Sequence, residues 1–232
     1  MIFKNELVPA TLVKRYKRFL ADVVLDSGDR ATAYCPNTGS MKGCSQPGSR
    51  VYLSRSDRSG RKYPLTLELV RSGETWVGVN TGLTNVIVAE AIEGGKVVDI
   101  GDVAVLRREV KVSENSRLDL LVEGGRGKTY IEVKNCTLVE DGVAMFPDAV
   151  TARGRKHLFE LVELCRQGHE AVIFYLVQRQ DARLFRPASS IDALYAEALG
   201  AAVREGVKIL AYSSEVGPGG IWLAGSLPCV LE

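Results

Sequence analysis

Histidine is nearly absent from this sequence, with only His157 and His169 among 232 residues. They fit neither a Ser/His/Asp triad nor a Cys/His dyad with any specificity. The five cysteines (Cys35, Cys44, Cys136, Cys165 and Cys229) are odd in number and scattered, without a Cys-x-x-Cys pair. Structural zinc is therefore disfavoured, and reduced, mostly buried thiols are expected. No apolar run reaches the length of a membrane span. The segment Met1 to Leu7 lacks the apolar core of a secretory signal, so a cytoplasmic protein that does not engage membranes is expected. Internal repeats and low-complexity stretches are missing too. Hydrophobic content of 46% and charged content of 25% are those of an ordinary globular protein.

The net charge of +2 conceals a division. Residues 1–80 carry 13 Lys and Arg against 7 Asp and Glu, whereas residues 81–232 carry 17 against 21. A basic unit attracts polyanions. An acidic unit beside the same polyanion needs a reason to keep its carboxylates, and a bound cation supplies one. Two domains, 1–80 and 81–232, follow from this asymmetry.

The first unit reads as five short strands, at 19–25, 31–35, 50–54, 65–70 and 76–79, separated by turns such as Gly28-Asp29 and Gln46-Pro-Gly48. Five strands in a small basic unit suit a Greek-key barrel of the OB type. Beyond residue 80 the texture changes. A helix is expected over 83–92, stopped by Gly94-Gly95, followed by strands at 103–112, 117–123 and 128–134. An amphipathic helix at 155–167 has Leu158, Phe159, Leu161, Val162, Leu164 and Cys165 on one face. The nearly continuous apolar run 171–177 reads as a strand covered on both sides. A helix at 191–205 and a strand at 208–212 complete the order, so the chain as a whole is α+β.

Chemistry concentrates in the hairpin from Arg117 to Lys134. With Gly124 to Gly127 as a four-residue turn, Glu123 pairs with Lys128. Asp119 then lies opposite Glu132, and Arg117 opposite Lys134. Residues two apart share a face, so Asp119, Glu132 and Lys134 project together. Facing carboxylates repel unless a cation lies between them, and this pair suits Mg²⁺ or Mn²⁺, with the Val133 carbonyl as a further ligand. The Lys134 ammonium is placed to steady a developing phosphoryl charge or to orient an attacking water. Glu-x-Lys is also common on exposed strands, but a solvated face has no reason to gather two like-charge pairs. The glycine-rich turn mimics a P-loop only in part, because residue 122 is Val and the segment runs into a strand.

The order of elements around this hairpin resembles the PD-(D/E)xK nuclease superfamily, with Asp119 on the second strand and Glu132-Val133-Lys134 on the third. Leu118 stands where the superfamily often has proline. Several ungapped segments are similar to motifs of the sugar fermentation stimulation protein family. They include Arg15-Tyr-Lys-Arg-Phe-Leu-Ala-Asp-Val23, Cys35-Pro-Asn-Thr-Gly-Ser-Met41, Glu132-Val-Lys-Asn-Cys-Thr-Leu138 and Phe146-Pro-Asp-Ala-Val-Thr151. The resemblance implies an OB-like domain, an α/β nuclease-like domain and sequence-independent association with DNA, single-stranded or duplex. Two functions remain open. One is a Mg²⁺- or Mn²⁺-dependent phosphodiesterase; the other is a non-catalytic regulatory DNA-binding protein of sugar metabolism.

Further candidates follow. Glu90 rides on the apolar stripe of the first helix. The superfamily often aims a glutamate from that helix at the metal; the alternative is a stripe-edge residue reaching solvent. Asp148 is a weaker candidate that could cap the next helix. Arg153 and His157, four apart, share a face of the second helix, with His157 expected as a hydrogen-bonding residue rather than a ligand. In the first unit Arg15, Lys17, Arg18, Arg50 and Arg55 are interleaved with Tyr16, Phe19 and Tyr52, which suits phosphate tracking with stacked bases. A homodimer is compatible with the sequence, and nothing in it argues for one.

Overall fold

The computed structural model describes residues 1–113, 116–125 and 127–231. Arg126, in the turn of the chemistry-bearing hairpin, lies outside them. The first domain is a ring of five strands: β1 (Val8–Tyr16), β2 (Leu20–Leu25), β3 (Arg30–Tyr34), β4 (Arg50–Arg55) and β5 (Leu65–Ser72). β1 pairs antiparallel with β2 and β4, β2 with β3, and β4 with β5. A parallel bridge from Tyr34 to Thr66 closes the barrel. β6 (Thr75–Gly78) extends it as a hairpin on β5.

The expected OB-like barrel is therefore present, but its membership differs. β1 is missing from the sequence reading, and β6 stands in the expected set although it lies outside the ring. In β1 only Ala10 and Leu12 alternate inward before Val13, Lys14 and Arg15 break the pattern. The inward residues Leu12, Val23, Leu53 and Leu67 make one core with Cys35, Met41 and Cys44.

A 3₁₀ turn at Thr81–Leu83 leads to α1 (Thr84–Glu93). The second domain is built on a six-stranded sheet of β7 (Val105–Ser113), β8 (Ser116–Gly124), β9 (Gly127–Cys136), β12 (Glu170–Val177), β14 (Lys208–Gly217) and β15 (Gly220–Ser226). Their spatial order is β15-β14-β12-β9-β8-β7. A small sheet of β10 (Leu138–Glu140), β11 (Val143–Phe146) and β13 (Leu184–Pro187) lies beside it. The remaining helices are α2 (Ala152–Arg166) and α3 (Ala193–Arg204).

β12 explains its own apolar run. It pairs in parallel with β9 and β14. Val172, Phe174 and Leu176 face the core shared with α1, while Ile173, Tyr175 and Val177 face the core shared with α2 and α3. Each such side chain contributes roughly 1.5–3 kcal/mol on burial. β10, β11, β13 and β15 escape the sequence reading because they are short or Gly-flanked. Met1 to Phe3 also depart from the expected 1–80 unit. They run along β15, where Ile221 N–H donates to the Met1 carbonyl at 2.9 Å.

On α2 the buried stripe is Gly154, His157, Leu158, Leu161 and Leu164. His157 thus points at the sheet in line with the core, while Phe159, expected inside, is 63% exposed. Thr151 caps the helix by accepting from Gly154 N–H at 3.0 Å. Asp148 is therefore not the cap. Its carboxylate accepts from Met41 N–H at 2.9 Å and Ser40 Oγ at 3.1 Å, joining the second domain to the barrel.

Candidate active site

The register of β8 and β9 is the one anticipated, with Glu123 opposite Lys128 and Leu120 opposite Ile131. Backbone pairing stops there, one step short of Asp119 and Glu132. The reason is the Asp119 side chain itself. Its Oδ2 accepts the Val133 N–H at 2.8 Å, a donor that would otherwise serve the ladder. Its Oδ1 accepts from Asn85 Nδ2 of α1 at 2.7 Å. The carboxylate is thus wedged between the strands and held on both oxygens. On the other side, β7 pairs with β8 through Arg108–Leu120 and Val110–Leu118, skipping Glu109 and Asp119. Glu109 sits at φ +54°, a conformation rare for a side chain with a Cβ. Leu118 and Leu120, which would share a face in a regular strand, pack into different cores. The strand therefore turns over at Asp119. The expected pairing of Arg117 with Lys134 does not form, and Arg117 faces Lys111 of β7 instead.

Glu132 is 3% exposed. Its Oε1 takes the Lys134 ammonium at 2.5 Å and meets His157 Nδ1. Its Oε2 is buried and has no hydrogen-bond partner among the described residues. Lys134 Nζ lies 3.4 Å from His157 Nδ1, and Arg153 Nε donates to His157 Nε2 at 3.4 Å. These groups line a cavity of about 730 Å³ that also receives Glu109, Lys111 and Lys156. Burial, followed by the charge of Glu132, pushes the Asp119 carboxyl up to about 6, against partial relief from Val133 and Asn85. Burial alone would raise Glu132 as well. The hydrogen bond from His157 and the Lys134 charge outweigh it, so its pKa falls below the ordinary value. The two acids are pushed apart, as paired catalytic carboxylates often are.

Asp119, Glu132, Lys134, Arg153 and His157 are brought together as expected. Glu90 is not. It is exposed, with its carboxylate 2.9 Å from the Met1 amino group. The buried stripe of α1 runs through Thr84, Ile87, Val88 and Ala91, which turns Glu90 away from the sheet. Asn85, five residues earlier and therefore on a different face, occupies the position facing Asp119. An amide in the first turn beside an apolar stripe is the signal that marks it. Asn135, also missed, has its Oδ1 facing Gln178 Nε2 and Thr84 Oγ. Among the described residues no three His, Cys, Asp or Glu side chains form a ready-made cage. Mg²⁺ commonly uses one or two carboxylates and completes its shell with water and substrate oxygens, so the pair is sufficient.

Two barrel arginines are engaged within the fold. The Arg15 guanidinium donates to the carbonyls of Arg18, Asn37 and Gly39 at 2.7–2.8 Å and of Ser40 at 3.3 Å, holding the loop after β3. Arg50 forms a two-pronged pair with Asp26 at 2.7 and 2.8 Å. Lys17, Arg18 and Arg55 remain exposed, as does Phe19, while Tyr52 packs on Trp76. Arg15→Ala is accordingly expected to cost about 2–3 kcal/mol of stability by orphaning those carbonyls. That corresponds to a melting temperature roughly 5–10 °C lower. A melt unchanged from wild type would remove this structural role.

Two family models divide the chain along the same seam. Residues 13–79 match the SfsA N-terminal OB domain, and residues 82–220 match the sugar fermentation stimulation protein RE domain. The chain belongs to the sugar fermentation stimulation protein (SfsA) family. It is 54% identical to the sugar fermentation stimulation protein homolog of Desulfotalea psychrophila over all of this chain and 96% of that one. The homolog from Pelobacter propionicus is also 54% identical, over 97% and 98%. Among solved structures, SfsA of Pyrococcus furiosus in complex with Ca²⁺ superposes with a TM-score of 0.90 at 28% identity. That alignment covers 99% of this SfsA-family chain and 98% of its relative. Among the described residues no helix is long and apolar enough to cross a membrane.

Proposed function

We propose that this SfsA-family protein binds DNA without sequence preference and cleaves phosphodiester bonds at Asp119, Glu132 and Lys134 with Mg²⁺ or Mn²⁺. The observation that carries the reading is the buried Oε2 of Glu132, without a partner among the described residues, beside an Asp119 that is costly to ionise. A buried carboxylate oxygen without a hydrogen bond is expensive. A hard cation would satisfy it and relieve the repulsion between the two acids. The residues present therefore fit a divalent ion, and the complex of the P. furiosus relative with Ca²⁺ is in keeping with an oxygen-ligand site.

A bound divalent ion supplies charge neutralisation at the scissile phosphate and a Lewis acid for its oxygens. The protein's own groups do the positioning. Asn85 and the Val133 N–H lock Asp119 in one orientation. His157 holds Glu132 Oε1 from α2, so Oε2 would be the atom left to hold the ion. Lys134 Nζ can turn from Glu132 to donate to a phosphoryl oxygen as negative charge grows there. Arg153 adds a second cation at the same cavity.

A second reading has an observation in its favour. Glu132 Oε1 already faces Lys134 and His157, a local arrangement compatible with a retained but silent site in a regulatory DNA-binding protein. Incubation of single-stranded, duplex and branched DNA with Mg²⁺ or Mn²⁺ separates the two. Metal-dependent products support the first, and intact DNA in every form leaves the second.

Binding should be electrostatic in either case, given the exposed Lys17, Arg18 and Arg55. Affinity is expected to fall with salt by a log–log slope of about −0.9 per phosphate neutralised on duplex and about −0.7 on single strands. Lys17→Ala with Arg18→Ala should weaken all sequences alike and flatten that slope. Loss confined to one sequence would contradict it.

A further inference from the structure

The active-site cavity continues into a second one. A space of about 700 Å³ lies in the seam between the domains, and Thr81, Lys134, Asn135 and Arg153 line both. One wall of the seam is the barrel loop 37–40, and the other is the segment leading to α2, from Phe146 to Thr151. Both walls are pinned. Asp148 grips Ser40 and Met41 from across the seam, and Arg15 holds the barrel loop through its carbonyls. Gly39 packs against that clamp, since a Cβ there would stand 2.8 Å from the Asp148 carboxylate.

Its electrostatics are one-sided. Arg15, Arg18, Lys134 and Arg153 line the seam against a single acid, Asp148, whose Oδ2 is already engaged by the barrel loop. Arg18 and Arg153 are exposed, and among the described residues neither is paired with a carboxylate. Where the cavities meet, Asn135 keeps its Oδ1 toward Gln178 and Thr84, so its Nδ2 remains a donor for the cavity.

We propose that the seam is a second binding site, which holds the single-stranded nucleic acid continuing from the phosphate at Asp119 and Glu132. This rests on the reading of the site as one for DNA. Cations and amide donors spaced along a trough suit a phosphate chain. Because Asp148 ties the walls together, the seam is expected to admit one strand rather than a duplex. The preferred substrate is then a single strand or a duplex with a single-stranded overhang.

The test uses the full chain with Ca²⁺ and three labelled probes: an oligothymidine, a blunt duplex, and the same duplex with an overhang. The oligothymidine and the overhang should bind about ten-fold or more tightly than the blunt duplex. Arg18→Glu should remove most of that preference and reduce the single-strand salt slope by about 0.7. Ala149→Trp fills the seam without changing its charge, and it should do the same to the preference alone. Melting curves of both variants check that the fold survives. Equal affinity for all three probes, or unchanged binding in folded Arg18→Glu and Ala149→Trp, overturns the seam site. The nuclease reading fails separately, if Mn²⁺ neither stabilises the protein nor supports cleavage while single strands still bind through the seam.

Discussion

Glu132→Gln should abolish metal-dependent cleavage, lowering its rate by about 10²–10³-fold or more, while DNA affinity changes little. The magnitude follows from what mutagenesis finds when one preorganised charge-stabilising group is removed from a closed site. The amide would keep the volume and a hydrogen bond to His157, but it would offer a weak ligand in place of the buried Oε2. Lys134→Ala should produce a loss of similar size by removing the ammonium in contact with Glu132. Binding should survive the Glu132 change and weaken only modestly in Lys134→Ala, which removes one of the four seam cations, because Arg18, Lys17 and Arg55 lie on the barrel. Single-turnover cleavage with Mn²⁺, alongside fluorescence anisotropy with Ca²⁺, separates rate from affinity. Loss of affinity in step with rate would place strand binding at the carboxylates instead.

Much of this site was legible in the sequence because a hairpin has a period of two and its turn sets the register. Glu123 opposite Lys128 follows from the glycines between them, and Asp119 level with Glu132 follows from that pairing. What the period cannot show is where the ladder ends. The break depends on a side chain competing with the backbone for the Val133 N–H. Helical faces were less secure. Shifting the stripe of α1 by one residue rotates it by about 100°, which is enough to turn Glu90 away from the sheet and bring the face beside Asn85 toward it. His157 was anticipated as a hydrogen-bonding residue, yet its partner, Glu132, comes from a strand 25 residues earlier. The basic barrel residues looked alike in the sequence, and only tertiary contacts distinguish Arg15 and Arg50, engaged within the fold, from Lys17, Arg18 and Arg55.

The carboxylate pair also has a signature without DNA. With its folded pKa raised from 3.8 to about 6, Asp119 disfavours the folded state wherever it is ionised. Above pH 6 the full cost is present. As pH falls through 6 toward 4 the folded protein takes up the proton first, and metal-free stability should rise from this group. Glu132, with a lowered pKa, adds stability that is present above its ordinary value of 4.5 and lost as pH falls from there through its lower folded value. Asp119→Asn removes the charge, and a turned Asn85 amide can still meet it, so the metal-free variant should be at least as stable as wild type at pH 7.5. The rise from 3.8 to about 6 sets an upper bound of about 3 kcal/mol, and the partial exposure of Asp119 reduces it. Mn²⁺ at about a hundred times its dissociation constant should stabilise wild type by about 2.7 kcal/mol, or roughly 5–10 °C in melting temperature. The variant should gain little. The wild-type response should itself fade below pH 6, where the ion must displace a proton from Asp119. Melts of both proteins across this range, with chelator and with Mn²⁺, read all three effects. An equal gain in the two would show that Asp119 is not a ligand, and an undiminished wild-type gain at acid pH would show that no proton is displaced.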